Sequence, residues 1–105
     1  MQIYDVADLE GPDDWSGPTM HGIGNAVAKL RWIDSAFRWH RNTGAELFLV
    51  LAGEVDMHVR SNPDAEVEVA HLRAGSALLI EDGEEHVAYP RGPAKVLVVE
   101  QENSD

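Results

Sequence analysis

Three features of the 105-residue sequence predict an all-β fold, a single sandwich or barrel. Period-two alternation runs through most of the chain, about seven to nine short apolar segments are separated by turn residues at near-regular spacing, and no segment has the pattern of an amphipathic helix. A chain of this length forms one domain, large enough to bury roughly 60 to 70% of the surface its unfolded form exposes.

The first expected strand is Ile3 to Val6, with a looser Ala7 to Glu10 behind it. Gly11 to Gly24 holds four glycines, two prolines and two adjacent aspartates, the composition of an irregular arm, which Trp15, Met20 and Ile23 are expected to pin to the domain. Asn25 to Ile33 reads as a strand, and Asp34-Ser35-Ala36 as a turn. In residues 37 to 42, alternation puts Arg38, His40 and Asn42 on one face and Phe37, Trp39 and Arg41 on the other. After the turn at Thr43-Gly44-Ala45, Glu46, Phe48, Val50 and Ala52 share a face while Leu47, Leu49 and Leu51 share its opposite. Both faces are apolar, which predicts a central strand covered on both sides.

Beyond Gly53, Val55, Met57 and Val59 alternate with polar residues in a half-exposed strand that places His58 at the surface. Ser61 to Asp64 is a turn, and Glu66 to Leu72 alternates again, with His71 expected at the surface. Ala77 to Ile80 is an apolar strand ending at the polar turn Glu81 to Glu85, followed by His86 to Tyr89, the turn Pro90 to Pro93 and a last strand, Val96 to Val99. The expected organisation is therefore a strand and irregular arm over residues 1–24, a barrel over 25–100 and a polar tail over 101–105. Paired turns and doubly apolar strands favour a closed or nearly closed jelly roll.

Composition narrows the function. With 44% hydrophobic and 26% charged residues the chain is ordinary globular protein, and no stretch approaches the roughly 18 apolar residues of a membrane helix. The start, Met1 to Val6, carries neither a basic leader nor an apolar core segment, so a cytoplasmic address is expected. A net charge of -11 repels phosphate backbones and anionic lipid, so neither nucleic acid nor membrane is an expected partner. Without cysteine, any metal must be held by histidine, carboxylate, amide or water.

Two segments carry candidate chemistry. Residues 40 to 53 read His40-x-Asn42-x3-Glu46-x6-Gly53, and residues 75 to 86 read Gly75-x5-Glu81-x-Gly83-x2-His86. The first resembles the first cupin motif, G-x5-H-x-H-x3 or x4-E-x6-G, and the second resembles the second, G-x5-P-x-G-x2-H. Both occur in the family's order, with the similarity running over roughly residues 25 to 100. The chain is thus identified as similar to small single-domain cupins of the RmlC-like jelly-roll superfamily, the cupin 2 conserved-barrel group. Three positions depart from the pattern: Asn42 stands where the family has its second ligating histidine, Glu81 replaces the proline, and no glycine lies five residues before His40.

The resemblance implies a cupin-type double-stranded β-helix with a divalent metal, Fe, Zn, Ni or Mn, held by His40, Glu46 and His86. Such a two-histidine, one-carboxylate set leaves coordination positions open. A carboxamide is a poorer ligand than an imidazole, so occupancy depends on Asn42, which is a weak fourth ligand, a donor to metal-bound water or a contact to substrate. Arg38, Phe48 and Tyr89 are the expected substrate-pocket residues, with Arg38 meeting an anionic group. Family analogy further implies a homodimer and a small-molecule ligand. The implied function is a metal-dependent enzyme acting on a small carbonyl, hydroxy or sugar-like compound, and the alternative is a non-catalytic small-ligand binder with a vestigial or empty site.

Overall fold

The computed structural model describes residues 1–102. A single 3-10 turn, Val6–Asp8, precedes the strands β1 (Thr19–Ile23), β2 (Ala26–Ile33), β3 (His40–Arg41), β4 (Glu46–Ala52), β5 (Glu54–Arg60), β6 (Glu68–Arg73), β7 (Ala77–Ile80), β8 (Glu85–Pro90) and β9 (Ala94–Gln101). They form two antiparallel sheets, in the orders β1-β2-β9-β4-β7 and β3-β8-β5-β6, that face each other as a jelly roll. No helix among the described residues is long and apolar enough to cross a membrane.

Period-two alternation sets the two faces of each sheet. On β9, Ala94, Val96, Val98 and Glu100 are buried and the residues between them half-buried. On β4, Glu46, Phe48 and Val50 point the same way. The opposing sheet supplies Val55, Met57, Leu72 and Ala88, and Ile33 and Ile80 close the core from the first. Burying side chains as completely as Val50, Val55, Met57 and Val96 stabilises the fold by about 1.5 to 3 kcal/mol each. Gly53, at φ 81°, makes the turn from β4 to β5, where a Cβ would meet the Pro93 carbonyl at 2.6 Å. That turn therefore requires glycine twice over.

The expected first strand does not form: residues 3–5 run without regular structure into the 3-10 turn at Val6–Asp8. Conversely, part of the expected irregular arm is regular. Thr19–Ile23 pairs with β2 as an edge strand, and the chain before it continues along the same edge through Trp32 N–H to Ser16 O (2.8 Å) and Leu30 N–H to Pro18 O (3.0 Å). The glycines and prolines that suggested irregularity are tolerated because an edge strand needs only one bonded side. Leu9, rather than Ile23, anchors the arm: Leu9 is buried over Leu30 and Gly17, whereas Ile23 faces solvent.

β4 is central within its sheet, but only its inner face is covered. With two layers and no third, Leu47 and Leu79 are exposed and Leu49 and Leu97 half-buried on the outer face. Of the expected polar tail, Gln101 closes β9, the Glu102 N–H donates to Asn25 O at 2.7 Å, and residues 103–105 lie outside the described residues.

Candidate metal centre

β3 and β8 pair so that His40 stands directly opposite His86, which brings their rings to 4.0 Å between centroids at an interplanar angle of 62°. Glu46 opens β4 on its inner face, and its Oε2 lies 3.3 Å from His86 Nε2. One donor atom from each of His40, Glu46 and His86 falls within 4.8 Å of the others, so the three form a group able to hold a metal ion. Glu46 and His86 are buried and His40 half-buried.

Two observations test whether a cation fits. Ligand atoms each about 2.1 Å from a shared divalent ion stand about 3.0 Å apart at a right angle and about 3.4 Å apart at the tetrahedral angle. The 3.3 Å separation of Glu46 Oε2 and His86 Nε2 falls between these values. In addition, Glu46 Oε1, His86 Nδ1 and Asn42 Oδ1 are buried without a hydrogen-bond partner among the described residues. Two of these three are oxygen acceptors, and unpaired acceptors in an apolar setting are costly unless a cation or water satisfies them. The donor set, imidazole and carboxylate, suits Fe, Zn, Ni or Mn alike.

Orientation is partly fixed by the chain. His40 Nδ1 lies 3.1 Å from the Arg38 carbonyl, which selects the tautomer that donates from Nδ1 and leaves Nε2 as a ligand atom. Burial raises the Glu46 carboxyl, but hydrogen bonding and charge from His86, with smaller help from Glu100 and His40, hold it below the ordinary range and keep it ionised. The register that pairs Leu47 with Val99 sets Glu46 opposite Glu100 on the inner face. Glu100 is pushed up, by burial and by the neighbouring Glu46 carboxylate, against the pull of Lys29, whose Nζ donates to Glu100 Oε1.

These groups line one cavity of about 350 Å³, whose walls include Phe48, Phe37 and Trp15 together with Lys29, Arg31 and Glu100. Phe48 is the one expected pocket residue found in the lining. Asn42 is buried but not part of the lining, its Nδ2 a long 3.5 Å from Ile80 O, while its backbone ties β3 to the turn at Gly83 and Glu84. Arg38 and Tyr89 are outside the cavity. β3 is only two residues long, so the alternation that placed Arg38 beside His40 does not extend to it, and its guanidinium stacks 4.6 Å from the exposed Phe37 ring. Tyr89 is three residues from His86, an odd offset that turns it to the outer face, where it stacks on His58 at 4.5 Å. His71 is also on that face, between Asp56 (2.7 Å) and Glu54 (2.9 Å), and His21 pairs with Glu102 at 3.0 Å.

Lys29, Arg31, Glu100 and Trp15 were not among the expected site residues. The signal for Lys29 and Arg31 lay in the spacing Val27, Lys29, Arg31, Ile33, which puts two cations on the inward parity of β2. Glu100 sits on the parity of Val96 and Val98, one position beyond the expected end of the last strand. Trp15 enters from the arm in a left-handed backbone conformation, φ 57°, with Nε1 donating to Ser35 O at 2.9 Å.

Comparison with known proteins places this geometry in context. The sequence profile of the cupin domain matches residues 32–100. No curated protein matches the sequence significantly. Among solved structures, a cupin-2 domain containing protein from Shewanella frigidimarina is 22% identical, with 88% of this chain and 85% of that one covered and a TM-score of 0.72. A cupin superfamily protein from Desulfitobacterium hafniense is 15% identical over 91% of this chain and 85% of that one, with a TM-score of 0.73. A hydroquinone 1,2-dioxygenase in complex with Fe3+ is 16% identical over 85% of this chain but only 28% of its own, with a TM-score of 0.75. A profile match over most of the chain, joined to the jelly-roll topology, establishes that the protein belongs to the cupin domain family.

Proposed function

We propose that this cupin is a divalent-metal-dependent enzyme acting on a small carbonyl, hydroxy or sugar-like compound, with His40, Glu46 and His86 as the protein ligands. The convergence of these three side chains on the floor of one cavity carries the proposal. A bound divalent ion supplies Lewis acidity and open coordination positions for water, oxygen or substrate. The chain does the rest. The Arg38 carbonyl holds the His40 ring in the liganding tautomer, the ionised Glu46 balances cationic charge, and Trp15 and Phe37, packed at 5.3 Å, shield one side of the cavity from solvent. The iron in the hydroquinone dioxygenase neighbour makes iron the first metal to try.

Elemental analysis of protein purified without an affinity tag, then chelated and reloaded with Fe, Zn, Ni or Mn, tests the proposal. About one ion per chain is expected, falling below about a tenth in Glu46→Gln. Failure to load any of the four metals would favour the second function, a non-catalytic binder of a small polar ligand. The specific observations behind that alternative are Asn42 in place of a histidine and the direct contact of His86 with Glu46. We also propose a homodimer through the outer face bearing Leu47, Leu49, Leu79 and Leu97, to be checked by light scattering of the eluted protein.

A further inference from the structure

The cavity has a second polar pole that the metal ligands do not use. On β2, Lys29 and Arg31 both face inward, and with the imidazoles counted as neutral their formal charges match those of Glu46 and Glu100, although the whole protein carries a net charge of -11. A divalent ion on His40, Glu46 and His86 leaves two positive charges uncompensated in a partly enclosed space, where the cost of imbalance is high. The two cations differ in availability. The Arg31 guanidinium donates to the carbonyls of Gly17, Pro18 and Leu30 and to Thr19 Oγ1, so it is committed to holding the arm. The Lys29 ammonium has three N–H donors, gives one to Glu100, and remains 31% exposed where it lines the cavity.

The remaining walls are Trp15, Phe37, Phe48, Ala88 and Val98. About 350 Å³ is the space of about a dozen water molecules, enough for a ligand of about a dozen heavy atoms. From the cation at one pole, the apolar walls and this volume, we infer that the ligand is a small organic acid whose carboxylate is anchored by Lys29 and whose compact apolar body lies against the aromatic walls. This inference rests on the metal proposal for the excess positive charge, but the spare donors of Lys29 are present without it.

Sodium benzoate and its neutral isostere benzamide are the probes, titrated calorimetrically into full-length protein with metal loaded and with metal removed. Benzoate is expected to bind the loaded protein at least about tenfold more tightly than benzamide, the range of a charge-assisted hydrogen bond. Lys29→Met is expected to reduce that preference to within about twofold. Glu100→Gln is expected to increase it, since it removes a competing carboxylate and frees Lys29. An ion pair serving only the fold would make both substitutions act in the same direction. If Lys29→Met does not fold, as judged by its thermal melt, the sign of the Glu100→Gln effect decides.

Equal binding of the two probes, no binding of either, or a preference that persists in Lys29→Met would overturn the inference. Metal uptake without the preference would leave the metal proposal standing and remove this one. A Lys29-dependent preference in protein that takes up no metal would do the reverse.

Discussion

On β4 the inward residues run Glu46, Phe48, Val50, and on its neighbour β9, read in the opposite direction, they run Glu100, Val98, Val96. On β8 His86 is followed inward by Ala88, which faces Met57. Each of these strands thus carries its polar residue at the same end of the barrel and its apolar residues at the other, with Phe48 and Val98 at the boundary. The apolar end is close-packed and stabilises the fold. The polar end keeps Asn42, Glu46, His86 and Glu100 buried, with partnerless atoms among them. Stability alone favours apolar residues at such positions, because desolvating charges costs more than their pairing returns. A polar end assembled from three strands and the residue that follows β3 is therefore best explained by a ligand, and the two ends should respond oppositely to substitution.

The largest effect on folding is expected at the apolar end. Met57→Ala, at a fully buried position, should lower unfolding free energy by about 2 to 5 kcal/mol in denaturant titration while leaving metal stoichiometry unchanged. Glu46→Gln should do the reverse: metal uptake is lost, while the stability of the metal-free protein changes by less than about 1 kcal/mol, because the lost contact with His86 is offset by removal of a buried charge. Loss of metal binding in Met57→Ala, or a large loss of stability in Glu46→Gln, would erase the distinction between the ends.

Asn42, at the polar end, is a position where substitution should gain function. Its Oδ1 is buried and partnerless, and an imidazole is the stronger ligand, so Asn42→His should tighten metal binding by about tenfold or more in a competition titration against a chelator. No gain would mean that the side chain is directed away from the ion.

The smallest effect concerns the arm. Burial acts to raise the Asp14 carboxyl, but hydrogen bonds from the Ser35 hydroxyl and the Asp34 and Ser35 backbone outweigh it and hold the group below its ordinary value of 3.8. A carboxyl depressed on folding contributes stability that is complete above the unfolded value and lost as pH falls through the folded one. Tryptophan emission, which includes the adjacent Trp15, should therefore show an acid step below about pH 4, where the arm loosens, and this step should be absent from Asp14→Asn. Asp14→Asn should shift that emission at neutral pH, with a stability cost below about 1 kcal/mol for so exposed a group.

Much of this was legible in the sequence, for definable reasons. Strands from Asn25 onward could be read because alternating or continuous apolar runs are bounded by turn residues, and His40, Glu46 and His86 because motif spacing fixes them whatever the loops do. Arg38 and Tyr89 do not line the cavity, because parity holds only inside a strand and only for even offsets. Lys29 and Glu100 were overlooked for other reasons: a charged side chain among apolar neighbours reads as surface until the partner strand is known, and Glu100 lies one position past the expected end of the last strand. The strand at Thr19–Ile23 was invisible because its pairing depends on the free edge of β2, a tertiary fact.

The central claim, that His40, Glu46 and His86 jointly hold one divalent cation, is tested most directly by titrating metal-free protein with Co(II) and following its visible d–d absorption. After subtraction of aqueous Co(II), the bands should rise to a sharp break at about one equivalent per chain, and the break should be absent from His86→Ala. A titration without d–d bands, or one that is unchanged in His86→Ala, would contradict it.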